Sequence, residues 1–231
     1  MSKDLHMSVS DAPAPTAPSR PAGGPRISRS RAAVIVVAAL AGAGALLGVV
    51  WSVLAPPIHG VIALTRSGDR ARAYLGAESD HFFTAAFMFT GLLVVLAAVA
   101  AVALWQWRAH RGPVLVTALV AGCAAAAGTA AGIGALLVHG RYGSIDVASA
   151  PVTPENRVFY VVEAPPVFFG HTPLQIATTI LFPAAVAALV YALIAVSTSR
   201  DDLGAWPPVE TPVYPPVNPH LPPMVTPPPQ A

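Results

Sequence analysis

AAVIVVAALAGAGALLGVVWSVLA, residues 32–55, is the stretch whose reading decides the fold. It holds no formal charge, follows Arg26, Arg29 and Arg31, and is stopped by Pro56-Pro57. At about 1.5 Å per residue a helix of this length measures roughly 36 Å, enough to cross a hydrocarbon core of about 30 Å with some tilt. The run is much longer than the apolar core of a cleaved leader, and a cut after Ala55 would place Pro56 next to the scissile bond. It therefore reads as an uncleaved signal-anchor.

Three further runs follow: Phe82–Trp107, Val114–Val138 and Leu174–Val196. Phenylalanines open the second and tryptophans close it, as expected of aromatic rings at the two membrane interfaces. Only Trp107–Pro113 separates the second run from the third, so these two helices are expected to be antiparallel neighbours. Pro183 lies near the centre of the last run, where it removes an amide donor and crowds the carbonyl of Thr179, predicting a kink. The fold expected is all-α: an integral membrane four-helix bundle over 32–196, with a small extracytoplasmic cap built from loops 56–81 and 139–173.

Composition agrees. Of 231 residues 55% are hydrophobic and only 10% charged, with mean hydropathy +0.62. Soluble domains carry about 25% charged residues, so this chain lacks the polar material to cover a water-facing surface. A scattered net charge of +2 offers no basic face for nucleic acid, and no such partner is expected. Cys123, the only cysteine, lies inside an apolar run and reads as a small buried side chain.

Outside the bundle, residues 1–31 are rich in proline, serine and alanine and read as a disordered tail. Residues 197–231 read as a second, proline-rich one, with eleven prolines between Pro207 and Ala231. Arginines beside the first helix and in the 107–113 turn place both tails in the cytoplasm by the positive-inside rule, although Arg66, Arg70 and Arg72 in the first loop count against it. The plasma membrane is the expected location. Within the loops, Val158–Val162 has the β-branched and aromatic content of a strand. Val61, Ile62, Leu64, Tyr74 and Leu75 suggest a short interfacial segment interrupted at Ser67-Gly68.

No helix interior contains Asp, Glu, Lys, Arg or His, which argues against a proton relay or an intramembrane protease. Thr90, Thr117 and Thr129 are expected to bond their own helix backbones. No catalytic residue, metal ligand set or cofactor is assigned. Polar candidates remain near the cap: His59, Asp80, His81, His139, Glu163 and His171. Histidines gathered there would suit a metal or a pH response, and paired carboxylates acid–base work, but no local spacing fixes either. The positive signal is small residues: Gly44 with Gly48 in helix 1, and Gly122, Gly128 and Gly132 in helix 3. Such faces let backbones approach closely, within the chain or across a homo-oligomer. Trp51 is expected at the headgroups, with Pro56 and Pro57 directing the chain into the first loop.

Trp51–Pro57 (W-x-x-L-A-P-P), the aromatic start at Phe82, the Arg111-Gly112-Pro113 turn into a Gly/Ala-rich helix and Ala164-Pro165 before the last helix together form a pattern. Over residues 32–196 it resembles an uncharacterised actinobacterial family of small four-helix membrane proteins of unknown function. The resemblance implies the bundle and no activity, cofactor or catalytic residue. The function expected is a non-catalytic accessory or scaffold subunit of a cell-envelope system, with membrane lipid and an envelope protein as partners. A small oligomeric transporter or channel component, or a membrane enzyme using cap-side residues, are the alternatives.

Overall fold

A computed structural model describes residues 27–143 and 145–198. Apart from 27–31 and 197–198, the two expected tails lie outside the described residues. Four helices are long and apolar enough to cross a membrane: α1 (Arg29–Leu54), α2 (Asp80–Trp105), α3 (Pro113–Tyr142) and α4 (Pro173–Val196). They alternate in direction, so the described chain begins and ends at one end of the bundle. At the other end, strands β1 (Ile58–Leu64), β2 (Arg70–Tyr74) and β3 (Val158–Glu163) form an antiparallel sheet in the order β2-β1-β3. The architecture is all-α with four membrane-spanning helices and a small sheet capping one end.

Helix bounds follow local chemistry. α1 starts three residues before Ala32 because Ser28 caps it, its hydroxyl accepting from the Arg31 amide at 3.3 Å. α4 opens with a capping box in which Thr172 and Gln175 satisfy each other's backbone amides. α3 runs past Val138 to Tyr142, carrying His139 inside the helix. Pro183 is buried within α4, and the hydroxyls of Thr178 and Thr179 both donate to the Gln175 carbonyl at 2.9 Å.

Helix α3 is the centre of the bundle. Half of its apolar span is buried, against 22–28% for the other three. A helix touched on several sides must be thin, which is why α3 is largely alanine and glycine. α1 lies parallel to it, and the contacts advance four residues at a time on α3 and four, four and three on α1: Leu40 meets Gly122, Gly44 meets Ala126, Gly48 meets Ala130, and Trp51 meets Gly134. A Cβ on Gly48 would lie 2.5 Å from the Ala130 carbonyl oxygen, and one on Gly44 would collide with the backbone of Ala126. Thr129 strengthens the seam, donating to Ala41 of α1 at 2.9 Å and to its own helix.

The tight α2–α3 turn does not make those helices the main neighbours; α2 packs chiefly on α4, and α4 on α3. Two features swing the chain. Gly112 takes φ +141°, a value that favours glycine. Arg111 folds back to donate from Nε to the Trp105 carbonyl at 2.8 Å, its guanidinium 4.3 Å from the centre of that indole. Trp105 in turn meets Tyr191 of α4 edge-on at 5.1 Å.

The interfacial segment expected over 61–75 is instead a β-hairpin. Ser67-Gly68, read as an interruption, is its turn: Gly68 has φ +91°, and the Thr65 amide bonds the Asp69 carbonyl at 2.8 Å. The bundle-facing side of the sheet buries Ile58 and Ile62, and Ala150 and Val152 from the long loop cover Ile62.

The α1–α3 seam makes a sign prediction. Gly44→Ala should destabilise the protein by about 1–3 kcal/mol through overpacking. Gly128→Ala, at a position with open space, should be neutral or stabilising by up to about 1 kcal/mol, because alanine is the better helix former. Unfolding of the two variants in detergent measures both.

Candidate functional site

Two polar constellations stand at the cap end. The first ties the end of α1 to the start of α2. Pro56-Pro57 sets the chain into β1, and the next residue but one, His59, donates its backbone N–H to Glu78 Oε2 at 2.9 Å. His59 Nδ1 and His81 Nδ1 lie 3.1 and 3.0 Å from the same oxygen, and His81 Nδ1 is also 3.0 Å from the Pro57 carbonyl. A carbonyl and an ionised carboxylate only accept, so both Nδ1 atoms carry hydrogen. The His59 N–H, then the two imidazoles, hold the Glu78 carboxyl below its ordinary range, partly opposed by desolvation. The cluster is a clamp in which both Nδ1 atoms are committed as donors. Among the described residues no three His, Cys, Asp or Glu side chains stand in a metal-holding group.

The second constellation is a cavity of about 720 Å³ between the start of α2, the end of α3 and the 163–171 segment that leads into α4. Ser79, His139, Glu163 and His171 supply its polar lining, and Phe82, Phe83, Phe168 and Phe169 its aromatic one. Glu163 forms an ion pair with Arg72, so the two outer strands are joined across β1. His139 Nδ1 is 2.8 Å from the Ala135 carbonyl, which fixes the proton there and leaves Nε2 as an acceptor in the neutral ring. The Ser79 hydroxyl does not cap α2. The Gln175 amide, engaged in the capping box, lies over Gly170, so a side chain there would push it out of the cap.

Of the six polar candidates, the structure thus brings His139, Glu163 and His171 to one cavity and His59 and His81 to one carboxylate. Asp80 joins neither; it is the first residue of α2, where a negative charge suits the helix dipole. Gly44, Gly48 and Gly122 lie in the α1–α3 seam, whereas a Cβ on Gly128 or Gly132 meets nothing within 4 Å. Ala126, Ala130 and Gly134 occupy the seam in their place, because the seam follows every fourth residue from Gly122.

Trp51 is not at the headgroups. It is fully buried, donates Nε1–H to the Ala85 carbonyl at 2.9 Å and meets Phe89 edge-on at 5.5 Å. The open face over Gly134 admits the indole, and the α2 carbonyl satisfies its one donor. Residues that sequence reasoning passed over include Arg72, Phe168, Phe169 and the clamp role of Glu78. Phe168-Phe169 beside Pro165-Pro166 was a local aromatic signal; nothing in the sequence joins Arg72 to Glu163.

The clamp predicts a pH dependence. A carboxyl whose folded pKa is depressed contributes stability that is complete above its ordinary value of 4.5 and is lost as pH falls through the lower folded value. The protection of the Ile58–Val61 amides against hydrogen exchange, taken relative to the intrinsic rate at each pH, should therefore fall as pH drops below 4.5. In Glu78→Gln protection should already be low at pH 7 and show no such step.

Residues 40–205 match a family described as a protein of unknown function, DUF2567. The uncharacterized protein Rv1591 of Mycobacterium tuberculosis is 52% identical over 172 residues, which cover 74% of this chain and 89% of that protein. The uncharacterized protein ML1222 of Mycobacterium leprae is 52% identical over 176 residues, covering 76% and 89%. No solved structure matches. Family match, identity and coverage agree: the chain belongs to DUF2567, an uncharacterised actinobacterial family of four-span membrane proteins.

Proposed function

We propose that this protein is a non-catalytic accessory subunit of a cell-envelope assembly, with the sheet as an extracytoplasmic contact surface and both termini cytoplasmic. The observation that carries the reading is the side of the sheet turned away from the bundle. Register places Val158, Tyr160 and Val162 of β3 beside Ala63, Val61 and His59 of β1 on that side, and Ala71 and Ala73 of β2 continue it. Tyr160 is 70% exposed, Val158 50% and Val162 40%. A contiguous apolar sheet face at the membrane surface is a surface that gains by being covered.

The polar groups near it support the same reading. Glu78 with its two histidines, and Arg72 with Glu163, fasten strands to helices and to each other. That is the construction of a rigid platform. The α1–α3 seam is filled within the chain, which leaves the cap as the face for a protein partner.

Two measurements test the proposal. In a Cys123→Ala background, a membrane-impermeant maleimide applied to intact cells should label Ser149→Cys in the cap and spare Ser30→Cys beside α1. The reverse pattern would place the cap inside the cell and end this reading. A photo-crosslinking residue at position 160 should then give one discrete protein adduct in native membranes. That adduct should be lost with Val158→Glu and absent when the crosslinker replaces lipid-facing Leu189.

A further inference from the structure

The cavity lined by Ser79, His139 and the phenylalanines is separate from the outer sheet face, and its chemistry is that of a binding site. It has a polar end and an aromatic end. At the polar end stand the Ser79 hydroxyl, His139 Nε2 and the His171 ring, which makes no hydrogen bond among the described residues. The one carboxylate, Glu163, is already answered by Arg72. Phe82 and Phe83 on α2 and Ala135 on α3 lie one turn deeper than Ser79 and His139, and Phe168 and Phe169 complete the aromatic wall. At about 720 Å³ the space falls within the ~300–1,000 Å³ of small-molecule sites.

Position identifies the occupant. Ala135 lies seven residues before the end of α3 at Tyr142, about 10 Å below it along the helix axis. The cavity therefore descends from cap level into hydrocarbon depth. Its aromatic wall continues onto the lipid-facing surface: Phe83 is 62% exposed, packs 5.6 Å from Phe169, and stacks at 5.8 Å on Phe87 one turn deeper. A chain can enter sideways along that wall from the adjoining leaflet. Among the lining side chains only the two imidazoles can carry positive charge, so the polar end offers donors and acceptors to hydroxyl groups and no fixed cation to a phosphate.

We infer that this cavity is a lateral binding site for a membrane lipid with an uncharged, hydroxyl-bearing headgroup. The headgroup is held by Ser79, His139 and His171, and one acyl chain lies along the wall that Phe169, Phe83 and Phe87 form. The site is independent of the partner surface proposed above.

The test uses the full chain in phosphatidylcholine vesicles containing a trace of diacylglycerol with a photoactivatable acyl chain, and adducts are mapped by mass spectrometry. Adducts should concentrate on the 79–83 and 164–171 peptides, and unlabelled diacylglycerol should displace them. Phosphatidic acid should compete about tenfold less well at neutral pH, and His171→Ala should weaken displacement by unlabelled diacylglycerol. Ala135→Trp, which fills the cavity, should abolish the displaceable labelling while labelling around Leu189 persists. Labelling that unlabelled diacylglycerol fails to displace would overturn the site, even if Ala135→Trp proved unable to fold. Displaceable labelling unchanged in a folded Ala135→Trp protein would do the same. Equal competition by phosphatidic acid would overturn the headgroup assignment.

Discussion

Everything in this molecule depends on how closely α1 can approach α3. In lipid there is no hydrophobic drive between helices, so association rests on dispersion and short backbone contacts. Gly44 and Gly48 supply the approach by presenting no side chain where Ala126 and Ala130 offer backbone. Thr129 then spends its hydroxyl across the gap, on Ala41. Because the two helices run parallel, both deliver their C-terminal ends to the same side of the membrane, and the cap is assembled from the segments that leave them.

That closeness explains the rest of the packing. With α1 against one side of α3, α4 takes another, and α2 packs chiefly on α4 while still meeting α1 and α3 through Ala85 and Phe89. The α2–α3 connection turns on Gly112 at a positive φ and on Arg111 folded over Trp105. At the cap end a cavity lies between the start of α2 and the end of α3, and the 163–171 segment closes its remaining side.

Uniform apolarity is legible from sequence because the bilayer imposes it, and the four spans lay within a few residues of where composition placed them. Val158–Val162 was readable as a strand for a local reason, its side chains. The hairpin was not: Ser67-Gly68 looks the same as a turn or as a break until the register of Val61 with Ala73 is known. A glycine pattern reports that a helix has a flat face, but not which face a partner uses. Gly128 and Gly132 fit the motif as well as Gly44 and Gly48 do, and a rotation fixed by Leu40, Trp51 and Gly134 chose between them. Trp51 was misplaced on similar grounds, since an indole near a helix end suits an interface until a carbonyl such as that of Ala85 is within reach. The cavity was the least legible feature. Its histidines come from helix end and loop, its wall from two distant aromatic pairs, and only the tertiary fold makes them neighbours.

The strand order has a consequence for biosynthesis. The central strand, Ile58–Leu64, pairs on one side with the strand that follows it immediately, and on the other with one that emerges only after two further spans have been made. Throughout that interval a row of amides and carbonyls on the central strand stands unpaired, the kind of edge that invites wrong partners. Closure of the sheet therefore waits until α2 and α3 have been made. Until Val158–Glu163 is made and zips into place, the half-made protein carries an adhesive margin that the finished one conceals.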